Sequence, residues 1–420
     1  MMKAVIMAGG KGTRIKEINS EVPKPMIPIL GKPILQYQIE ALARQGVKNV
    51  VLVVGYLGNT IKEYFADGDK FGVRIEYIEE KEPLGTAGAL YFLKDKIKDD
   101  FLLLCGDLIF DIDVQKFYAA HKKYGGEVTI FTHPNSHPYD SGIIVADENG
   151  KVRNWLHKED DRLWYRNRVN AGLHFMSPSV FNRIRELKKR DLDRDILKPM
   201  ISEGKLFVYD SPEYVKDMGT PDRFYSVIDD IQSGKVGNKN LSHKQRAVFL
   251  DRDGTINKYV GFLTKIEEFE LCDGVADAVK KINESGYLAI VVSNQPVIAR
   301  GEISLDELHE IHNKMETLLG ADGAYLDAIY FCPHHPHKGF EGERAEYKVE
   351  CECRKPKAGM LLKAASEFNI DLTQSWMIGD SGNDILCGKN AGCKTAYIGE
   401  DSRADVCGKD LLACVNQILG

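Results

Sequence analysis

The sequence predicts an α/β protein of two domains, and three observations carry that reading. Short continuous apolar runs alternate with amphipathic stretches along nearly the whole chain, the pattern of strands and covering helices. Several of these runs end directly in a glycine- or aspartate-bearing turn, as strands do at the binding edge of an open sheet. A polar stretch, QSGKVGNKNLSHKQ at 232–245, interrupts the alternation once. It has glycines and no apolar periodicity and reads as a linker. The expected domains are 1–235 and 246–420, joined by 236–245. A chain of 420 residues fits two or three domains at roughly 100–200 residues each.

Taken in order, residues 2–7 read as a buried strand followed by Gly9-Gly10-Lys11-Gly12. Residues 34–45 have helical spacing, with Ile34, Leu35, Tyr37, Gln38, Ala41 and Leu42 on one face. The runs 50–54 and 101–104 are apolar throughout, as parallel strands covered on both faces should be. Shorter strands are expected at 128–132 and 171–176. After the linker come 247–250, 288–292, 328–331 and 375–378.

Composition excludes several classes. With 56 basic and 62 acidic residues the net charge is −6, unlike a chain built to grip a nucleic-acid backbone. No apolar run reaches the roughly 18 residues of a membrane span, and the start of the chain shows no signal-peptide pattern. A cytoplasmic protein acting on small molecules is expected, with homo-oligomer formation left open. Nine cysteines, an odd number with three near histidines, suit reduced thiols and metal ligation better than a disulfide framework.

In the first half, Gly9, Gly10 and Gly12 follow a strand and let the backbone N–H groups approach a phosphate chain. Lys24, between two prolines, offers a cation. Asp107 ends an apolar run, and Asp217, in KDMGTP, offers a second carboxylate for magnesium. Asp217 also stands where an aspartate would cap a helix opening at Pro221. GGKGTR at 9–14, PKPM at 23–26, EPLGTAGAL at 82–90, GD at 106–107, NAG at 170–172 and DMGTP at 217–221 resemble the sugar-1-phosphate nucleotidyltransferase family over most of 1–235. The resemblance implies a Rossmann-like mixed sheet. It also implies attack of a sugar-phosphate oxygen on the α-phosphorus of a nucleoside triphosphate. It assigns Arg14 and Lys24 to the phosphates, with Thr13 in the same glycine turn. Asp107 and Asp217 fall to magnesium, Glu80, Gly85 and Thr86 to base and ribose, and Lys158 and Asn170 to the sugar phosphate. Lys158 stands in His-Lys-Glu where many relatives have Glu-Lys-Pro.

In the second half, Asp251 and Asp253 lie two residues apart just beyond the run 247–250, placed to act as nucleophile and acid/base beside a cation. Ser293-Asn294-Gln295, Lys355 and Asp380 through Asp384 follow in order. This order resembles the haloacid dehalogenase (HAD) superfamily over about 245–415, a doubly wound parallel sheet. It implies that Asp251 forms an aspartyl-phosphate and that Asp253 moves the proton. Ser293 and Lys355 would stabilise the phosphoryl group, and Asp251, Asp253 (by its carbonyl) and Asp380 would hold a second magnesium.

Cys332-Pro333-His334 and Cys351-Glu352-Cys353 are separated by the sixteen residues 335–350. Residues two apart in extended chain face one way, so each pair can pinch one ion. Three thiolates and an imidazole make a closed structural zinc shell that would order the charged loop 332–353. His335 and His337 are rival ligands. Cys272, Cys387, Cys393, Cys407 and Cys414 are expected as small buried residues.

The motifs CPHH, CxCRKP and NQ…IARG at 294–301 are similar to the heptose-1,7-bisphosphate 7-phosphatase group. That likeness implies substrate contacts by Asn294, Gln295, Arg300 and Arg354. Pro296-Val297 and Ser381 depart from its pattern. The first half is similar to the heptose-1-phosphate guanylyltransferases. The combined expectation is removal of the 7-phosphate from D-glycero-D-manno-heptose 1,7-bisphosphate, then GMP transfer from GTP to heptose 1-phosphate. Beside it stand a mannose-1-phosphate or other hexose-1-phosphate nucleotidyltransferase fused to a histidinol-phosphatase-like enzyme, and a regulatory protein with one inactive domain.

Overall fold

The computed structural model describes residues 2–10 and 22–420. The chain forms two compact units. One comprises Met1–His133, Ile144–Trp155 and Asn170–Asn240, and the other Pro134–Ile143, Leu156–Val169 and Leu241–Gly420. Two segments of the first half of the sequence therefore fold with the second unit. Nothing in their local pattern announces this, because the packing that decides it is long-range.

The first sheet is mixed. Lys3–Met7 pairs in parallel with Asn49–Val54 and Phe101–Cys105, and Asn49–Val54 pairs with Arg74–Glu79. Val169–Met176 runs antiparallel beside Phe101–Cys105. The central runs are buried on both faces: Val5 and Val53 belong to one core, Ile6 and Leu52 to the other. The helix Ile34–Arg44 opens after Pro33, which cannot continue an earlier helix, and buries Ile34, Leu35, Gln38, Ile39, Ala41 and Leu42.

The second sheet has six parallel strands in the order Ala328–Cys332, Leu288–Asn294, Ala247–Leu250, Trp376–Gly379, Lys394–Ile398 and Val406–Gly408. The strand before Asp251 is central, so the ends of its two neighbours, at Ser293–Asn294 and Asp380, flank it. The polar stretch near 240 is packed rather than loose. Lys235–Asn238 is helical, Lys239, Asn240 and Leu241 are buried, and Asn240 Nδ2 donates to Asp111 Oδ1 at 2.7 Å. Its glycines hide this, since the burial comes from residues far along the chain. Among the described residues, no helix is long and apolar enough to cross a membrane.

Candidate functional sites

In the first unit a cavity of about 420 Å³ opens where strands Lys3–Met7 and Phe101–Cys105 end, lined by Gly9, Gly10, Lys24, Glu80, Gly85, Thr86, Gly106, Asp107, Gly172, His174 and Leu192 among others. Glycine is required at two of these points. A Cβ at Gly9 would lie 2.2 Å from Glu80 Oε2, and one at Gly85, where φ is +76°, would lie 2.3 Å from the Arg190 carbonyl. Thr86 Oγ1 accepts the Leu192 N–H at 2.7 Å. Lys24, nearly buried, is ion-paired with Asp107. Gln38 donates from Nε2 to the carbonyls of Cys105 and Leu108, both at 2.9 Å, bracing the turn that presents Asp107.

Asp217 is brought beside that turn because Tyr214–Asp217 pairs antiparallel with Leu108–Asp111, and Met218 N–H donates to the Asp107 carbonyl at 3.0 Å. Burial pushes the Asp217 carboxyl up, but Arg223, with Nη1 2.9 Å from Oδ2, the Gly219 N–H and Lys24 together hold it below its usual range. The helix at Pro221 is capped by Thr220 and not by Asp217. Hard oxygen donors on two adjacent carboxylates suit magnesium. Asn170 Oδ1 accepts the Gly172 N–H at 3.0 Å, while its amide lies 3.5 Å from Asp193 Oδ1. Lys158 is exposed, lies in Leu156–Val169, which folds with the second unit, and is not among the residues lining the cavity. Gly12, Thr13 and Arg14 lie outside the described residues.

In the second unit Lys355 Nζ bridges Asp251 Oδ1 at 2.7 Å and Asp384 Oδ1 at 2.6 Å, all three nearly buried. Burial raises the Asp251 carboxyl to about 7 despite Lys355. Burial alone would lower the Lys355 ammonium, but the two carboxylates outweigh it and hold it up. Asp251, Asp380 and Asp384 each offer an oxygen within 4.8 Å of the others, enough to share one hard cation. Gly254, at φ +86°, makes room, since a Cβ there would sit 2.0 Å from Asp380 Oδ2. The Asp253 side chain turns elsewhere: Arg252 Nη2 reaches its oxygens at 2.8 and 2.9 Å, and Gln295 Nε2 donates to Oδ2 at 2.8 Å and to Ser293 Oγ at 2.7 Å. Asn294 clasps the Lys355 backbone at both N–H and carbonyl, each at 3.0 Å. Arg300 lies over the rings of Phe262 and Phe340 and pairs with Glu302 at 2.7 Å.

Cys332, His334, Cys351 and Cys353 form a third cluster, with ligand-atom separations of 3.2–3.6 Å. Four atoms about 2.0–2.3 Å from a tetrahedral zinc stand roughly 3.5–3.8 Å apart, so the donor set and its size are compatible with that ion. His335 and His337 lie outside the cluster, with His335 Nδ1 turned toward the His337 carbonyl at 3.3 Å. Arg354 Nη1 donates to the His334 carbonyl at 3.2 Å, tying the cluster to the residue before Lys355. Of the remaining cysteines, Cys387, Cys393 and Cys414 are buried, whereas Cys272 and Cys407 are only partly covered.

The nucleotidyl transferase family matches residues 3–234, more than half of the chain. The chain belongs to the nucleotidyl transferase family. A HAD-hydrolase-like family also matches residues 352–409. The chain is 35% identical over 228 residues to mannose-1-phosphate guanylyltransferase catalytic subunit beta of Xenopus tropicalis, a match spanning 53% of this chain and 62% of the relative. It is 35% identical over 226 residues to a rice protein named as mannose-1-phosphate guanylyltransferase 2, spanning 52% and again 62%. The chain thus spans less than two thirds of those relatives. The crystal structure of HddC from Yersinia pseudotuberculosis complexed with GMP-PN is 26% identical, with 55% of this chain and 100% of that one covered and a TM-score of 0.49.

Sequence reasoning missed several groups in these sites. Arg223 and Asp193 belong to no strand-end motif, Arg252 stood between Asp251 and Asp253 without a role, and Gln38 looked like one member of an apolar helix face. Asp384 stood in the quoted motif without a role. Ser381 orients it, donating from Oγ to Asp384 Oδ2 at 2.6 Å, and the serine that departs from the phosphatase pattern thereby acts as a helix cap.

Proposed function

We propose that the chain is a bifunctional enzyme. Its second half, 246–420, hydrolyses a phosphomonoester, and its first half, 1–235, joins a sugar 1-phosphate to a nucleoside monophosphate drawn from the triphosphate. The observation that carries the reading is the presence of two separate cation–carboxylate sets in one chain, Lys24 with Asp107 beside Asp217 and Lys355 with Asp251 and Asp384.

In the phosphatase Asp251 is the nucleophile toward phosphorus, and Lys355, already seated against it, takes up the negative charge that develops. Asp253 delivers a proton to the leaving oxygen and then withdraws one from water, while Gln295 and Arg252 orient it. Magnesium, held by Asp251, Asp380 and Asp384, would supply charge neutralisation. In the transferase the glycine turn and Lys24 align the triphosphate for in-line attack. Magnesium held by Asp107 and Asp217 would neutralise the departing pyrophosphate.

Guanine is supported by Glu80. Its Oε1 is buried at the cavity without a partner among the described residues, and a carboxylate offers only acceptors. Guanine presents two adjacent donors, N1–H and the 2-amino group, whereas adenine, cytosine and uracil each mix donor with acceptor along that edge. The sugar is read as D-glycero-D-manno-heptose, because a 7-phosphatase acting on its 1,7-bisphosphate releases the 1-phosphate that the other half consumes. A second reading, mannose 1-phosphate, is favoured by the names of the curated relatives. The two sugars share the manno configuration around the ring. Incubating the protein with heptose 1,7-bisphosphate, or with mannose 1-phosphate, and each of GTP, ATP, CTP and UTP tests both. GDP-heptose with inorganic phosphate and pyrophosphate is expected. GDP-mannose alone selects the second reading, and no nucleotide sugar from either overturns both.

A further inference from the structure

His174 sits in the strand Val169–Met176 with 1% exposure, and among the described residues neither Nδ1 nor Nε2 has a hydrogen-bond partner. Burial holds its pKa near 3, so the ring is neutral, with one nitrogen a donor and the other an acceptor. Its cross-strand neighbour is Leu103, which can satisfy neither. An unpaired buried polar group lowers the stability of a fold, and a phenyl ring would pack here without that cost. The imidazole does, however, line the cavity.

Its place across the sheet indicates what it meets. The strands run in the order Arg74–Glu79, Asn49–Val54, Lys3–Met7, Phe101–Cys105, Val169–Met176. Glu80 follows the first, Gly9 the third and Asp107 the fourth. Adjacent strands are about 4.8 Å apart, so the fifth lies roughly 19 Å from the first. The Glu80 carboxylate reaches back toward Gly9 at the third strand, the Lys24–Asp107 pair lies at the fourth, and His174 is on the fifth. Asn170, Gly172 and His174 alternate onto one face of that strand.

We propose that His174 is a specificity-determining residue of the transferase, pairing through one ring nitrogen with a ring hydroxyl of the sugar 1-phosphate. The assignment rests on the transferase reading above. A hydroxyl is itself donor and acceptor, so one nitrogen of a neutral imidazole can pair with a sugar hydroxyl that apolar neighbours cannot recognise. The sugar meets one of the two nitrogens.

The test is His174→Phe in the full-length chain, with His174→Gln as the variant that keeps a donor and an acceptor. Loss of the pairing should lower kcat/KM for mannose 1-phosphate or heptose 1-phosphate by about tenfold, leave KM for GTP within twofold, and raise the melting temperature of the ligand-free protein. The Gln variant should recover most of the sugar kinetics. A histidine serving only to pack would give the opposite stability change and no KM split. Sugar kinetics within twofold of wild type, a loss shared equally by GTP and sugar, or a lower melting temperature in the free Phe variant would overturn the assignment. Wild-type protein that transfers to no sugar 1-phosphate fails the transferase reading instead, so the two failures are told apart.

Discussion

The two candidate sites of this chain hold their charges differently. In the first-unit cavity, Glu80 Oε1 and both nitrogens of His174 are buried without partners among the described residues, and the Asp107 side chain that pairs with Lys24 is 29% exposed. In the second unit Lys355 is held by two carboxylates, and Asp253 by an arginine and a glutamine. The first site is completed by its ligands. The second has its charges in place before substrate arrives, which suits nucleophilic attack on a stable phosphomonoester, where preorganised electrostatics supplies much of the rate.

The sharpest way to separate the centres is to remove one carboxylate from each. Asp251→Asn should abolish phosphate release while transfer to supplied sugar 1-phosphate continues, and Asp107→Asn should do the reverse. Because phosphomonoester hydrolysis can require acceleration of up to ~10²¹-fold, the first loss should be close to total. Either variant silencing both reactions while remaining folded would refute the two-site reading.

The difference in wiring also predicts a difference in stability. Lys355→Met leaves Asp251 and Asp384 buried and facing each other, and breaking a buried pair costs about 3–5 kcal/mol. Lys24→Met leaves an Asp107 that water reaches, at a cost nearer 1 kcal/mol. Urea unfolding of the two variants should rank them in that order. Equal losses would mean that the phosphatase cluster is no more desolvated than the cavity.

That contrast explains what could be read in advance. Asp251, Ser293 and Asp380 each stand at the end of an apolar run, and the structure brings those strand ends side by side. The cysteine pairs announced themselves by spacing. What escaped was of two kinds: local side-chain pairing, Arg252 on the adjacent Asp253 and Arg223 on Asp217, and long-range association, Asp384 on Lys355 and the inclusion of Leu156–Val169, with Lys158, in the second unit. The first depends on rotamers and the second on which elements pack together, and no local periodicity encodes either.

The thiol–imidazole cluster gives a smaller effect. It leads through Arg354 into Lys355, so loss of its ion should displace both, and about 1 Å of misplacement can cost ~100-fold. Cys351→Ser should lower phosphatase efficiency by that order, hasten proteolysis within 332–353 and spare the transferase. Elemental analysis should find about one zinc per chain. A well-folded, active preparation without zinc would remove the cluster from the argument.

The smallest effect probes the unmet polarity of the cavity through pH. Asp193 lies in the helical turn Leu192–Leu197 beside Asn170, and burial, then Asp191, raise its carboxyl to about 6 against the pull of Arg194. The unfolded chain releases that proton near pH 3.8. Between these values the folded state binds the proton more tightly, so stability falls as pH rises through the window and the full penalty is present above it. Asp193→Asn removes the charge and keeps a carbonyl oxygen for the Asn170 amide. At pH 8 it should stabilise the first unit by no more than about 3 kcal/mol, and near pH 3.5 by almost nothing, since the aspartate is then largely protonated in both states. Melting curves at the two pH values read the difference. An equal gain at both would assign the effect to packing, and no gain at pH 8 would show that Asp193 is paired in solution and that the cavity holds its charges as tightly as the phosphatase centre does.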